Sequence, residues 1–140
     1  MSELVYIDTN LFVFPLIYGD SGRGKDATQV LRKIERGEFT AYTSTLTWDE
    51  VVWVIRRTLG KEDSIESGRK LIRFPNLRFI EVGDSIIAKS QSLIEKYQLK
   101  PRDAIHCSSA ILKGIGLLLS DDPDFDVVKE IKRTPLEKFA

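Results

Sequence analysis

The sequence predicts an α/β fold with three layers, in which helices cover both faces of a central, mostly parallel twisted sheet. Two observations carry this prediction. Short apolar runs of strand length alternate along the chain with longer segments of helical spacing, and strands separated by helices form parallel crossover units. The chain also has 140 residues, a length that fits one domain spanning 1–140.

Four apolar runs are predicted to be buried strands, and a fifth is predicted to be a short edge strand. The four lie at 4–7, 39–42, 77–82 and 115–119, and the edge strand lies at 127–131. Helix-length segments separate them, at about 24–36, 46–59, 62–73, 84–97 and 102–113. The glycine-rich stretch at 19–25 is expected to be a flexible loop.

The composition excludes several kinds of protein. Lys plus Arg and Asp plus Glu both number 21, so no global positive field exists to hold nucleic acid. The single cysteine, Cys107, excludes an internal disulfide and a cysteine-rich zinc site, and it favours the cytoplasm and a buried thiol. No apolar run approaches the roughly 20 residues that span a bilayer, and we expect no signal peptide at the N-terminus.

The helix predicted over 46–59 carries an acid near its start. Five apolar residues form one stripe at helical spacing that is expected to face the core: Trp48, Val51, Val52, Ile55 and Leu59. Glu50 lies off that stripe, on the side of Trp53 and Arg57. We place Glu50 in the first turn, where the helix dipole stabilises a carboxylate, with Ser44 or Thr45 as the N-cap. For Trp53 a place in the core is favoured over contact with a partner or substrate.

Four acids are predicted to lie where strands end or helices begin. Asp8 ends the first strand, and Glu50 opens the helix after the second. Asp103 follows Pro101 at the start of a helix, and Asp122 follows the fourth strand. Because the carboxyl ends of parallel strands line one edge of a sheet, these acids are expected to converge there. Converging acids need a cation, and oxygen ligands select Mg²⁺ or Mn²⁺, although each acid alone also fits a turn or a helix cap.

Four short motifs follow one another along the chain. They read Asp-Thr-Asn at 8–10, Ser-Thr-Leu-Thr-Trp-Asp-Glu-Val at 44–51, Pro-Arg-Asp-Ala-Ile-His at 101–106 and Leu-Ser-Asp-Asp-Pro-Asp-Phe at 119–125. In this order they resemble the PIN domains, and most closely the VapC-type toxins of prokaryotic toxin–antitoxin pairs. The resemblance extends over essentially the whole chain.

This resemblance implies a function and a set of site residues. It implies cleavage of single-stranded RNA that depends on Mg²⁺ or Mn²⁺, a homodimer, and a small antitoxin protein that blocks the site. By motif, the catalytic and metal-binding acids are Asp8, Glu50, Asp103 and Asp122, with Asp124 or Asp121 as the alternative fourth acid. Asn10 matches a polar residue that supports the metal ligands.

Other functions remain compatible with parts of the sequence. Residues 19–25 have the spacing of a phosphate-binding loop, but Asp26 stands where Ser or Thr would hold Mg²⁺. Asp8 and its neighbours also resemble the start of phosphatases with an aspartate nucleophile, but Asn10 cannot act as their general acid. A PIN-like module that binds RNA or protein without catalysis is the third alternative. A metal requirement would separate the nuclease from that module.

The remaining candidates concern the substrate and the dimer. His106, the only histidine, lies three residues after Asp103, and a hydrogen-bonded structural role is favoured over a general base. Arg57 and Arg102 are candidate phosphate contacts, with solvated surface charges as the alternative. The apolar segment at 11–18 is a candidate surface for the dimer.

Overall fold

The computed structural model describes residues 3–140, which contain a five-stranded sheet. The strands are β1 (Leu4–Ile7), β2 (Thr40–Ser44), β3 (Leu77–Ile80), β4 (Leu117–Leu119) and β5 (Lys132–Thr134). Their order in the sheet is β3-β2-β1-β4-β5, and every neighbouring pair is parallel. The fold class predicted from the sequence is therefore confirmed.

Six α-helices connect the strands. They are α1 (Asn10–Tyr18), α2 (Arg23–Glu35), α3 (Thr45–Leu59), α4 (Lys61–Ile72), α5 (Asp84–Lys96) and α6 (Pro101–Leu112). Two short 3-10 helices follow, at Pro123–Val127 and Leu136–Lys138. Among residues 3–140, no helix combines the length and the apolar character needed to cross a membrane.

Side chains of β1 alternate between two cores on opposite faces of the sheet. Val5 and Ile7 pack in one core with residues of α1 to α4, whereas Tyr6 packs in the other with residues of α5 and α6. All three side chains are fully buried. This burial on both faces is what the central strand of a three-layer fold requires. Cys107 is buried in the second core, as predicted.

Helix α1 is an element to which the sequence prediction assigns no helix. Its apolar residues surround the helix instead of forming one stripe, and Pro15 lies inside it. The first half of the helix is buried, while Leu16, Ile17 and Tyr18 are exposed. Only the end of the segment at 11–18 therefore offers an apolar surface.

The glycine-rich stretch at 19–25, predicted to be a flexible loop, is a loop only at 19–22, because α2 begins at Arg23. This loop joins α1 to α2 and does not follow a strand. This position contradicts the alternative of a phosphate-binding loop, which needs a strand before it. Gly24, in the first turn of α2, instead allows a close approach to the end of α1. A Cβ at Gly24 would lie 2.1 Å from the carbonyl oxygen of Gly19.

The predicted edge strand at 127–131 is wrong, and β5 begins at Lys132. Residues Pro123–Val127 form a 3-10 helix in which the Asp122 carboxylate accepts a hydrogen bond from the Asp124 amide at 2.9 Å. Val128 and Ile131 are buried in the core as parts of a loop. Their apolar pattern therefore arises from packing without strand pairing.

Helix α3 also differs from its prediction in detail. Ser44 is the N-cap, so Glu50 lies in the second turn of the helix and not in the first. Val51 and Ile55 are buried as expected, but Trp48 and Leu59 at the ends of the stripe are 43% and 45% exposed. Trp48 and Val52 lie against Gly68 of α4. Trp53, for which a core position is predicted, is 53% exposed.

Candidate active site

The predicted acids lie on elements that meet at the carboxyl edge of the sheet. Asp8 directly follows β1, and Asp122 and Asp124 follow β4, which is the neighbour of β1. Asp103 is the third residue of α6, after Pro101, as predicted. Parallel strands place their carboxyl ends on one edge, and the helix that precedes β4 begins at that edge.

Three of these acids form a tight group. One carboxylate oxygen from each of Asp103, Asp122 and Asp124 lies within 4.8 Å of the other two. Asp8 lies outside this group, but its charge and that of Asp122 add to burial in raising the pKa of Asp103 to about 6. The structure thus brings Asp122 and Asp124 together beside Asp103, whereas the sequence analysis gave Asp124 only as an alternative to Asp122 for the fourth acid.

Asp121 is directed elsewhere. Its Oδ1 accepts a hydrogen bond from the amide of Leu136 at 2.9 Å. Its Oδ2 lies 3.8 Å from Nε of Arg23. Both contacts attach the segment after β4 to neighbouring parts of the fold, so Asp121 has a structural role in this arrangement.

Asp8 is held in one orientation by hydrogen bonds to both of its oxygens. The amide of Thr9 donates to Oδ1 at 2.8 Å, and the hydroxyl of Ser120 donates to Oδ2 at 2.6 Å. The side chain is buried, and this burial raises the pKa of Asp8 although the two hydrogen bonds and His106 act against it. A bound cation would offset the loss of solvation of this buried carboxylate, and the carboxyl group must lose its proton before it can bind one.

Ser120 links Asp8 to the loop that carries the other acids. Its hydroxyl accepts hydrogen bonds from the amide of Asp122 at 3.0 Å and from Nδ2 of Asn10 at 3.4 Å. Asn10 is therefore linked to Asp8 through the Ser120 hydroxyl. Sequence reasoning gave Ser120 no role of its own, and its only signal was its position at the end of the fourth strand.

Glu50 reaches the site from α3. Its Oε1 accepts hydrogen bonds from the hydroxyl of Thr9 at 2.8 Å and from Nε2 of His106 at 2.5 Å. Nδ1 of His106 is hydrogen-bonded to the hydroxyl of Tyr6 at 2.7 Å, and the ring is 1% exposed. This is the hydrogen-bonded role that the sequence favoured for His106.

The charges of Glu50 and His106 support each other. Burial alone would raise the pKa of Glu50, but His106, Thr9 and the positive charge of Arg102 together hold it below its usual range. Burial alone would lower the pKa of His106, but the oxygens of Tyr6, Glu50 and Asp8 raise it well above its usual range. A carboxylate can only accept, so Nε2 carries a proton.

The two predicted phosphate contacts occupy different positions. Arg102 lies in the first turn of α6, is exposed, and is close enough to lower the pKa of Glu50. Arg57 is exposed on α3, two turns after Glu50. The structure therefore places Arg102 beside the acids and Arg57 farther along the helix.

The residues present fit a divalent cation. The group of acids offers only oxygen donors, which suit a hard ion such as Mg²⁺ or Mn²⁺. Nearby, Oδ1 of Asn10 is buried and has no hydrogen-bond partner among the residues that the structure describes. A buried acceptor without a partner is satisfied by a water molecule, such as one in the hydration shell of an ion.

Comparison with known proteins identifies the family. The sequence model of the PIN domain matches residues 5–131. The chain belongs to the PIN domain family. Among curated proteins, Ribonuclease VapC2 of Methanocaldococcus jannaschii is 25% identical over a match of 134 residues, and the coverage is 86% of this chain and 86% of that protein.

Several solved structures share the fold of this PIN domain. VapBC2 from Rickettsia felis, bound to a DNA fragment from their promoter, has a TM-score of 0.73 at 13% identity and covers 94% of this chain and 98% of that chain. VapC20 of Mycobacterium tuberculosis, a toxin that cleaves the sarcin–ricin loop, has a TM-score of 0.72 at 15% identity, with coverage of 88% and 93%. A toxin–antitoxin complex from Klebsiella pneumoniae has a TM-score of 0.64 at 22% identity, with coverage of 91% and 95%.

Proposed function

We propose that this PIN domain is a metal-dependent endoribonuclease that cuts single-stranded RNA and is the toxin of a toxin–antitoxin pair. The observation that carries this proposal is the group formed by Asp103, Asp122 and Asp124 next to the buried Asp8. The similarity to a ribonuclease of the same family supports it. A single cysteine, Cys107, which is a free thiol, fits a protein that works in the cytoplasm.

In this proposal Asp8, Asp103, Asp122 and Asp124 hold one or more Mg²⁺ or Mn²⁺ ions. The bound metal would supply an activated water and stabilise the charge on the phosphoryl oxygens. The pKa of Asp103 is raised to about 6, and its carboxyl group must lose its proton before it can bind the cation.

Glu50 and Arg102 have separate roles in the proposal. Both hydrogen bonds to Glu50 end on Oε1, so Oε2 has no hydrogen-bond partner within residues 3–140. We assign Oε2 to accept a hydrogen bond from the attacking water or from the RNA. Arg102 is exposed beside Glu50 and would bind a phosphate of the substrate, with Arg57 as a more distant contact.

A cleavage assay on total RNA tests this function. The purified chain is incubated with Mn²⁺ and separately with EDTA, and the same assay is run on Asp8→Asn. Asp63→Asn is the matched control, because Asp63 is an exposed acid in the first turn of α4. We expect cleavage only with Mn²⁺, loss of cleavage in Asp8→Asn, and parent activity in the control. Equal cleavage in EDTA would contradict the proposal, and RNA binding without cleavage would indicate a binding module.

We also propose a homodimer and a small protein antitoxin as partners. The support is the apolar surface that Leu16, Ile17 and Tyr18 leave exposed at the end of α1. The toxin–antitoxin complex from Klebsiella pneumoniae, a protein of the same fold, adds to this support.

A further inference from the structure

The loop that follows β4 carries two of the clustered acids and is contacted at both ends by one side chain. Arg133, on the edge strand β5, donates from Nη1 to the carbonyl oxygen of Ser120 at 3.0 Å. It also donates from Nε and Nη2 to the two carboxylate oxygens of Asp126, at 2.7 Å and 3.2 Å. Ser120 precedes Asp122 and Asp124, and Asp126 follows them. All three guanidinium nitrogens thus donate hydrogen bonds to residues that lie before and after the two acids in the sequence.

We propose that Arg133 is a positioning residue, which holds the two ends of the loop and thereby sets the spacing of Asp122 and Asp124. The proposal rests on the proposed function, because it assigns Arg133 to the support of the same metal-binding acids. Within residues 3–140, the hydrogen bonds of Arg133 end on Ser120 and Asp126, and none reaches a carboxylate of Asp103, Asp122 or Asp124.

The surroundings of Arg133 make this contact stronger than an ordinary surface ion pair. Its side chain is only 17% exposed, while that of Asp126 is 54% exposed. Exposed pairs contribute little to stability, but a fork of parallel hydrogen bonds to a carboxylate is among the strong geometries. The backbone of Arg133 pairs with Leu118 of β4. The guanidinium is therefore anchored on the strand next to the one that leads into the loop.

Hydrogen bonds inside the loop complete the arrangement. The hydroxyl of Ser120 accepts from the amide of Asp122 at 3.0 Å, and the carboxylate of Asp122 accepts from the amide of Asp124 at 2.9 Å. These bonds order each acid relative to its neighbour, whereas Arg133 ties both ends of the loop to β5. Without Arg133, the end at Asp126 would lose its hydrogen bonds to the sheet.

Charge gives Arg133 a second effect on the same acids. Asp121 and Asp122 add to Asp126 in raising the pKa of Arg133, which shows that its positive charge lies near them. A fixed cation at this place reduces the repulsion among acids that converge without a metal. Charge and geometry can be separated experimentally, because lysine keeps the charge but lacks the fork.

Three substitutions test the proposal. Arg133→Met removes both charge and fork, Arg133→Lys removes only the fork, and Asp126→Asn weakens the contact from its exposed side. Arg36→Met is the matched control, because Arg36 also pairs with a nearby acid through Nε and Nη2, which lie 2.7 Å and 2.6 Å from one oxygen of Glu38, Oε2. Arg36 ends α2 before β2 begins, at the opposite edge of the sheet from the acids.

Two readouts are measured besides RNA cleavage. The first is amide hydrogen exchange at Asp122 and Asp124 in metal-free protein, and the second is Mn²⁺ affinity by calorimetry. For Arg133→Met and Arg133→Lys we expect exchange about 10-fold faster and Mn²⁺ binding about 10-fold weaker, the usual loss when support for a metal ligand is removed. Asp126→Asn should change both readouts in the same direction by a smaller factor. Arg36→Met should change neither.

The outcomes separate this proposal from the proposed function. Parent values of exchange and Mn²⁺ affinity in Arg133→Met would overturn the positioning role, as would full retention of both in Arg133→Lys. If Arg133→Met fails to fold, Asp126→Asn is measured in its place. Exchange rates and Mn²⁺ affinity equal to those of the parent in Asp126→Asn would then overturn the proposal. A parent protein that binds no Mn²⁺ overturns the proposed function, while the exchange rates still decide whether Arg133 orders the loop.

Discussion

Glu50 on α3 and His106 on α6 share a hydrogen bond of 2.5 Å between Oε1 and Nε2, although the two helices cover opposite faces of the sheet. The bond passes the end of β1, where Nε2 of His106 also lies 3.6 Å from Oδ1 of Asp8. On the other side of the ring, Nδ1 meets the hydroxyl of Tyr6, which is itself part of β1. One imidazole therefore ties both helical layers to the central strand at the edge where the acids converge.

Removing this imidazole is expected to destabilise the protein. His106→Leu leaves Glu50 and Tyr6 without their shared partner, and we expect a loss of about 2–4 kcal/mol in the free energy of unfolding. His106→Gln, whose amide can still donate to Glu50, should lose less. Tyr6→Phe should lose about 1–2 kcal/mol, because one ring nitrogen is then unpaired. Urea unfolding measures all three, and a His106→Leu variant as stable as the parent would refute the role assigned to this histidine.

The stability that His106 contributes should depend on pH. Because its folded-state pKa is raised well above 6.5, this contribution is fully present below 6.5 and is lost as pH rises through the folded value. Glu50 has a lowered pKa, so its contribution is present above 4.5 and is lost as pH falls through the folded value. The free energy of unfolding of the parent should therefore exceed that of His106→Gln by the largest amount between about pH 4.5 and 6.5. Urea unfolding of both proteins in EDTA across this range and up to about pH 9 tests this, and an advantage that grows above pH 6.5 would contradict it.

Asp103→Asn should separate stability from activity. The pKa of Asp103 is raised from 3.8 to about 6, so its ionisation destabilises the fold progressively between these values and fully above them. The amide removes this unfavourable charge. We expect the metal-free variant to be more stable by about 1–2 kcal/mol at neutral pH, less than the full shift implies because the side chain is partly solvated.

The same Asp103→Asn protein should bind Mn²⁺ more weakly and cut no RNA. Thermal melts in EDTA and a cleavage assay in Mn²⁺ measure the two effects on one preparation. A variant that melts below the parent and still cuts RNA would show that Asp103 is an ordinary acid at a helix start.

The first turn of α2 should tolerate no side chain at Gly24, which lies against the turn that follows α1. Gly24→Ala would force its Cβ against the carbonyl group of Gly19, which is backbone and cannot move aside alone. We expect a loss of about 2–3 kcal/mol or more, measured by urea unfolding. Gly116→Ala is the control, since a Cβ there meets nothing within 4 Å and should change stability by less than about 0.5 kcal/mol. Equal stability of the two variants would mean that the turn opens easily.

The exposed end of α1 should take part in self-association. Light scattering at micromolar concentration is expected to give twice the monomer mass of 16.0 kDa. Ile17→Asp places a charge on the apolar surface and should reduce that mass. Ile72→Asp, at an exposed position on α4, serves as the control. A monomer at every concentration would contradict the dimer.

The sequence predicted the positions of those acids that lie next to a recognisable apolar run or helix start. Asp8 follows an apolar run and Asp103 follows a proline, so the position of each relative to its strand or helix can be derived without the fold. Helix α1 was missed because its apolar residues have no helical periodicity, and the edge strand was misplaced because Val128 and Ile131 are buried outside any strand. The local pattern of apolar residues indicates that a segment is buried, but it does not indicate whether that segment is a helix, a strand or a loop.

Contacts between distant parts of the chain could not be predicted. Ser120 and Arg133 are ordinary residues in the sequence, and their contacts with Asp8 and Asp126 depend on how β4 lies between β1 and β5. The same holds for Tyr6 and His106, which are separated by 100 residues. Their roles follow from strand order and side-chain direction, neither of which periodicity alone determines.

The central position of β1 has a consequence for the growing chain on the ribosome. Of the five strands of the sheet, β1 is synthesised before the others, yet one of its two neighbours is β4, and Asp8 is hydrogen-bonded to Ser120, 112 residues later. A nascent chain that ends before β4 therefore leaves one edge of β1 unpaired and holds no complete set of acids. If the domain is the nuclease proposed here, it cannot attack the message from which it is being translated until almost its whole length has emerged.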